Sequence, residues 1–404
     1  MRTVRRSGAE VFPTARTGYP GPMRIRIAVV VLAAVTVVAG CLPPPPLSVG
    51  LTRGGLSFPW DVRWTPANAN PANAMVYTER PDGLAIVAGG NKILDWKPAD
   101  LLVMSESGMM SLDLAPDFTT SRRVFVCFAS TLGPDVRIAR LTLNAGYTAV
   151  TNRTDIVTGM PVNPVGELGR HSGCRLRFGP DRALWVGTGD AAVGTNPQSP
   201  VSLGGKVLRI DQNGAGVAGN AGFPFDPRIM SWGHRNVQGI AFRGLQAFAV
   251  EHGTGCDDEV NRLVVGNYGW DPVPQAPGRP QYDESAPMTD LRKYPQAIRA
   301  TWSSGCPTIA PSGATFVFGR QWGTWNGGLV MGVLKGQHLR MLQISADGKR
   351  TLAQSVSLTD HGRLRTPAVG PDGALYVTTG NGANIDEILR VTPRAAIAGA
   401  TPAT

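Results

Sequence analysis

Gly179-Pro-Asp-Arg-Ala-Leu-Trp-Val-Gly187 and Gly370-Pro-Asp-Gly-Ala-Leu-Tyr-Val-Thr378 are two copies of one pattern, a tight turn followed by a short alternating apolar segment. Proline and glycine preset the turn, and a period of two puts one face of the following residues into a core, which specifies a β-strand. Looser copies at residues 74–78, 123–127, 246–250 and 328–332 bring the occurrences to six. Most are followed by a second alternating segment that closes the unit, at residues 137–143, 206–210, 259–264, 338–344 and 387–391. The spacing of the units, roughly 45 to 80 residues, the lack of helical periodicity and the 50 glycines and 33 prolines predict four-stranded antiparallel blades around an axis. The fold class is therefore all-β, a β-propeller, and counting strands alone leaves seven or eight blades open.

The N-terminal residues are set apart from this pattern. Arg24 and Arg26 precede an uncharged apolar run, Ile27 to Val38, which is short for a bilayer span and ends in small residues, as an export signal does. Val38-Ala-Gly-Cys41 matches a bacterial lipobox, so residues 1–40 are expected to be a signal peptide and Cys41 the lipidated first residue of the mature chain; the alternative is an ordinary cleaved signal with an incidental cysteine. Pro43 to Pro46 make residues 41–55 an expected stiff tether to a membrane surface, residues 56–392 the propeller, and residues 393–404 a tail.

The formal charge is +10, but six arginines against one glutamate within the first 40 residues account for half of it. The remaining domain is mildly basic, with no run of Lys and Arg interleaved with aromatic residues, which argues against a nucleic-acid partner. A modest positive excess suits an anionic cofactor. Export permits disulfides, and Cys127, Cys174, Cys256 and Cys306 remain once Cys41 is set aside; four cysteines allow three pairings.

His171 to Asp190 (HSGCRLRFGPDRALWVGTGD), Gly233 to Phe242 (GHRNVQGIAF) and Glu251 to Trp270 (EHGTGCDDEVNRLVVGNYGW) together resemble the active-site signatures of the pyrroloquinoline quinone (PQQ) dependent glucose/sorbosone dehydrogenases, the soluble aldose sugar dehydrogenases. The resemblance covers roughly Leu56 to Val391, with the motifs in the family's order. It implies six blades, PQQ and Ca²⁺ as cofactors, a small-molecule aldose as substrate and a separate, unidentified electron acceptor. It also implies roles. His171 matches the general base, an imidazole suited to accepting the C1 hydroxyl proton as hydride leaves C1. Asp190 matches the acid that orients it, and Arg235 with Asn236 the pair facing the quinone carbonyl. Gly253 and Thr254 match the positions whose carbonyls hold the bridging calcium, which takes hard oxygen ligands. Asp257, Asp258 and Glu259, with Tyr268 nearby, suggest a second, structural calcium, the alternative being an acidic solvated loop.

Read from their own chemistry, Arg363 and Arg365 lie two apart and point the same way on an extended segment, where they grip a planar carboxylate-rich ligand or, alternatively, form a solvated strand face. Lys335 follows an apolar strand and is either a further cofactor cation or a surface-turn lysine. Thr308 falls beside a turn flanking the repeated strands, as the other candidates do. Residues so dispersed in sequence meet only at a propeller axis. Cys256 and Cys306 lie in loops matching two walls of that site and are expected to be bridged.

Two departures bear on the cofactor. Cys174 replaces a glycine that usually precedes the Arg-Leu pair, and Glu106 stands where the family often has an uncharged glutamine. Two other classes compete with a sugar dehydrogenase: a metal-dependent lactonase or related hydrolase, which needs axial carboxylates in place of Arg and Lys, and a sugar-binding propeller without catalysis.

Overall fold

A computed structural model describes residues 40–163, 169–274 and 281–394. These residues form a six-bladed β-propeller of small antiparallel sheets, with one short α-helix at Phe118–Ser121 and one 3-10 segment at Arg320–Trp325. The six turn-strand repeats of the sequence are the second strands of the blades: Met75–Glu79, Arg123–Ser130, Leu184–Thr188, Gln246–Glu251, Leu329–Val333 and Leu375–Thr379. The closing segments are the third strands, among them Lys206–Ile210 and His338–Ile344. The second strands are almost wholly buried, because each sheet is covered on both faces by its neighbours.

The innermost strands are Pro59–Trp64, Met109–Leu114, Gly173–Phe178, Val237–Arg243, Pro311–Phe316 and Leu364–Val369. Each touches the next, and the sixth returns to the first, so the ring is closed. Closure is completed by the N-terminal part of the propeller: Leu47–Leu56 is the outer strand of the sixth blade, paired antiparallel with Asp386–Pro393. Residues 41–55 are therefore not a free tether. Gly40–Cys41 pairs with Ala353 and Gln354 of the fifth blade, Thr324 donates to the Pro43 carbonyl, and Arg394 N–H to that of Pro46. Edge backbone groups of both blades demand partners, and this segment supplies them. The expected signal residues 1–39 and tail residues 395–404 lie outside the described residues.

Around the axis the inner strands carry polar side chains, and one carboxylate paired with two guanidiniums binds them. Asp61, fully buried on the first inner strand, accepts from Arg175 Nη1 at 2.9 Å, Arg177 Nη1 at 2.7 Å and Ser111 Oγ at 2.6 Å. Arg175 also donates to the Gln238 carbonyl at 2.7 Å and to Thr366 Oγ1 at 3.0 Å, with its guanidinium over the Trp60 ring at 4.2 Å. Burial pulls Arg175 down to about 10 while Asp61 works against that loss. Through two residues the first, second, third, fourth and sixth blades are joined.

Replacing Asp61 with Asn leaves two buried guanidiniums without their counter-ion. Breaking a buried pair from one side costs about 3–5 kcal/mol, so the denaturant midpoint of D61N falls steeply; a variant as stable as the parent contradicts this role.

Candidate active site at the axis

In an antiparallel blade the start of the first strand and the end of the second lie at the same end. Nearly every candidate of the sequence is at one of these two places. Glu106, His171, Arg235 with Asn236, Thr308 and Arg363 come just before inner strands, while Asp190, Gly253 with Thr254 and Lys335 come just after second strands. They share one rim of the channel.

His171 Nδ1 and Asp190 Oδ1 are 2.8 Å apart. Asp190 is fully buried; burial alone would raise its carboxyl, but His171, Arg235 and Tyr282 hold it below the usual range. Because an ionised carboxylate only accepts, Nδ1 of His171 carries the proton, and Nε2 accepts from Arg170 Nε at 3.3 Å. The imidazole thus presents its Nε2 lone pair away from Asp190. His171 has φ +54 and Cys174 φ +69, a left-handed turn that swings the imidazole out of the strand direction.

Cations surround this pair. Arg235 is 5% exposed and stacks on Trp270 at 5.7 Å. Its Nη2 meets Glu284 at 2.9 Å, and its Nε is buried without an acceptor among the described residues. Glu284 also holds Arg170. Arg365 is buried against Trp60 at 5.1 Å, again with an Nε unpartnered among the described residues. Burial brings it down to about 9, and Arg175, Arg80 and Arg363 add repulsion. Arg363 is exposed, donating Nε to the Gly380 carbonyl at 3.1 Å, so the two arginines of Arg363-Leu-Arg differ in burial while remaining electrostatic neighbours. Lys335 is exposed at its turn.

Glu106 is hydrogen-bonded to donors of the third and fourth blades and also acts electrostatically on Arg365 and Arg80. It accepts from Asn236 Nδ2 at 3.3 Å, Gln238 Nε2 at 3.2 Å and the Ser172 N–H at 3.3 Å. A glutamine offers one acceptor oxygen where this carboxylate offers two, which accounts for a charged residue in that turn.

The 253–258 loop is organised by Asp258, which accepts from Gly253 N–H at 2.9 Å, Thr308 Oγ1 at 2.8 Å, Ile309 N–H at 2.6 Å and Ala310 N–H at 3.1 Å. Cys256 and Cys306 are joined, with Cα atoms 4.4 Å apart, and Cys127 is joined to Cys174. Thr308 is therefore committed to Asp258. Among the described residues no hydrogen bond ends on the carbonyl oxygens of Gly253 or Thr254, which leaves both free for a cation. Among the described residues, too, no group of three or more His, Cys, Asp or Glu side chains is gathered for a metal.

Glu259 is buried beside Glu251. Burial first, and Glu251 second, push it up to about 8. Asn261 Nδ2 bridges the two carboxylates at 2.8 and 3.0 Å while its Oδ1 has no partner among the described residues, an acceptor-rich cluster suited to a hard cation. The Tyr268 hydroxyl is not part of it. That group donates to the Arg262 carbonyl at 2.7 Å and accepts from Val264 N–H at 3.0 Å, and the ring stacks on His234 at 4.3 Å, so the side chain is spent on the loop fold.

Residues 56–390 match the family model described as Glucose / Sorbosone dehydrogenase. The chain belongs to the glucose/sorbosone dehydrogenase family. It is 26% identical over 392 residues to the aldose sugar dehydrogenase YliI of Escherichia coli K12, covering 87% of this chain and 94% of that one. An uncharacterised Synechocystis protein is 30% identical over 376 residues, 83% of this chain and 84% of its own. Among solved structures, the PQQ-bound form of an aldose sugar dehydrogenase from Streptomyces coelicolor superposes with a TM-score of 0.65 at 27% identity, covering 87% of this chain and 99% of that one. A putative oxidoreductase (glucose dehydrogenase) from Thermus thermophilus gives 0.70 at 32%, with coverage of 85% and 99%.

In this glucose/sorbosone dehydrogenase family member, sequence reasoning missed several residues at the rim. Tyr282, Glu284 and Trp270 reach it from the long connection between Gly266–Asn267 and Trp302–Ser303, which carries no strand pattern. Arg80, at the end of a second strand, donates to the Ser105 carbonyl at 2.7 Å, lies over Phe58 at 4.1 Å and has a buried Nε unpartnered among the described residues. Its position just past the 75–79 strand was the available signal.

Proposed function

We propose that this protein is an exported aldose dehydrogenase that removes hydride from C1 of a sugar with PQQ as acceptor and Ca²⁺ as its companion ion, and that passes the electrons on to a separate acceptor. The observation that carries this reading is the His171–Asp190 pair at the rim of an axis whose buried arginines, Arg235 and Arg365, keep donors without acceptors among the described residues. Unpaired buried donors are costly, so a site built with them suits an anionic ligand with several acceptor oxygens. PQQ, with three carboxylates and two quinone oxygens, is such a ligand, and when bound it supplies a two-electron acceptor.

The chain's own residues then have defined tasks. His171 Nε2 takes the proton of the C1 hydroxyl, which replaces the Arg170 N–H now held there. Asp190 keeps the proton on Nδ1 and stabilises the imidazolium that forms. Arg235, Asn236, Arg365 and Arg363, with Arg80, offer donors to the cofactor's oxygens. Lys335, exposed like Arg363, is a further cation of the same rim. Gly253 and Thr254 are the carbonyls for the companion calcium, held in place by Asp258 and the Cys256–Cys306 bridge. Glu259 and Asn261 are the side chains for a second, structural ion.

The test separates base from cofactor site. His171→Ala lowers turnover by ~10²–10⁴-fold while PQQ affinity in the presence of Ca²⁺ stays within a few-fold of the parent. Unchanged turnover, or loss of PQQ binding in parallel, contradicts the assignment.

Export and attachment at Cys41 are part of the proposal. Four cysteines are bridged, which suits an oxidising compartment, and Cys41 is exposed with a free thiol where the chain meets the fifth blade. The full chain expressed in a bacterial host should partition into detergent and take up labelled fatty acid, and Cys41→Ser should do neither; an unlabelled parent chain contradicts lipid attachment.

A further inference from the structure

Asp190 orients His171, but something must orient Asp190. Both of its oxygens are saturated. Oδ1 accepts from His171 Nδ1 at 2.8 Å and Ala192 N–H at 2.8 Å; Oδ2 accepts from Trp270 Nε1 at 2.8 Å and from the Tyr282 hydroxyl at 2.6 Å. Of these four donors the Tyr282 hydroxyl makes the shortest bond, and it alone can be deleted without touching the backbone or the ring packing. That packing is well defined: the tyrosine ring meets Trp270 edge-on at 6.0 Å, His171 at 6.1 Å and the Arg170 guanidinium at 5.9 Å.

We propose that Tyr282 is a positioning residue of the catalytic base, its hydroxyl fixing the rotation of Asp190 and limiting how strongly that carboxylate holds a proton on His171. This rests on His171 being the base. Burial and the neighbouring Asp190 raise the Tyr282 phenol, so it stays a donor throughout the working pH range. A short bond from a neutral hydroxyl to a carboxylate is charge-assisted and draws negative charge away from the face that meets Nδ1. The hydroxyl oxygen is also 3.2 Å from His171 Nδ1, a contact that favours the imidazolium. It is the longer of the two, and the N–H it would accept already points at Oδ1, so the bond to Asp190 dominates. The other titratable or charged groups around the pair are Arg170 on Nε2, Glu284 holding Arg170, and, from the fourth blade, His252, which burial disposes to be neutral, and Arg235, which acts on Asp190. Among the described residues the Tyr282 hydroxyl bonds to Asp190 and His171 and to none of these.

Losing the hydroxyl frees Asp190 to stabilise the imidazolium, so the unprotonated base appears only at higher pH. In Tyr282→Phe the acid limb of kcat/KM, measured with saturating PQQ and Ca²⁺, moves up by roughly half a unit to one unit. The midpoint of the His171 imidazole resonance, followed by NMR in the cofactor-free protein, moves with it. Difluorotyrosine at the same position, a stronger donor with the same ring, moves both downward and keeps every packing contact should the phenylalanine variant fold poorly. A lower rate with an unmoved limb and unmoved resonance reduces Tyr282 to packing and overturns the proposal, as does a downward shift in Tyr282→Phe. Because the resonance is read without cofactor or sugar, a parent protein that oxidises no aldose would sink the dehydrogenase reading while the Tyr282 result still stood on its own.

Discussion

The arrangement depends on the buried carboxylate of Asp61 and the two guanidiniums, Arg175 and Arg177, with which it pairs at the axis. Six inner strands that converge on a line cannot fill it with bulky apolar groups alone, because small and polar residues such as Ser111, Thr366 and Ser312 occupy it. A charge there is expensive to bury and is tolerated only with its hydrogen bonds complete. Asp61 and Arg175 complete one another's, and in doing so they fix the rotation of five blades. The rim residues stand at the entries of those strands, at the exits of the second strands paired with them, or on the connection that carries Trp270, Tyr282 and Glu284. The cost of the ion pair is thus spent on register, and register is what a site gathered from distant turns requires.

A second consequence follows from antiparallel pairing. Each blade delivers two positions to the same rim, the entry of its first strand and the exit of its second. His171 and Asp190 use both positions of the third blade; Arg235 and Gly253 use both of the fourth. His171 and Asp190 are therefore neighbours within one blade, where a β-ladder sets their distance, while the cations come from different blades. The His171–Asp190 pair is thus held by local structure, and the set of cations by the ring as a whole.

The second and third strands were legible in the sequence because a Pro-Asp-Gly turn ahead of an alternating segment is a local signal, and the third strands 206–210 and 338–344 agree to the residue. Inner strands were less so. Pro311-Ser-Gly-Ala-Thr-Phe316 is too small and polar to read as a strand until the crowding of an axis is known. The outer strand at Leu47–Leu56 falls almost wholly in the expected tether, an expectation that rests on Pro43 to Pro46; the alternation of Leu47, Val49 and Leu51 is short and its side chains are mostly exposed, and its reason for being a strand is the unpaired edge of Asp386–Pro393, more than three hundred residues away. At the site, the pairing of His171 with Asp190 and the place of Arg235 followed from motifs. Tyr282 and Glu284 did not, since a tyrosine and a glutamate in an irregular connection carry no pattern until the fold brings them against Asp190 and Arg235. The hydroxyls of Tyr268 and Thr308 illustrate the converse: residues whose motif suggested a ligand are already engaged, one with its own loop and the other with Asp258.

In the proposed function the arginine donors of the rim that lack partners among the described residues serve a multiply anionic quinone whose companion cation rests on the Gly253 and Thr254 carbonyls. Equilibrium titration of chelator-treated protein with PQQ, with and without Ca²⁺, followed by addition of an aldose, tests it most directly. The expected result is saturable binding that strengthens markedly with Ca²⁺, more than with Mg²⁺, which resists cages built wholly of protein ligands, and reduction of the bound quinone's absorbance by the sugar. Binding indifferent to the cation, or no binding at all by a folded protein, would contradict it.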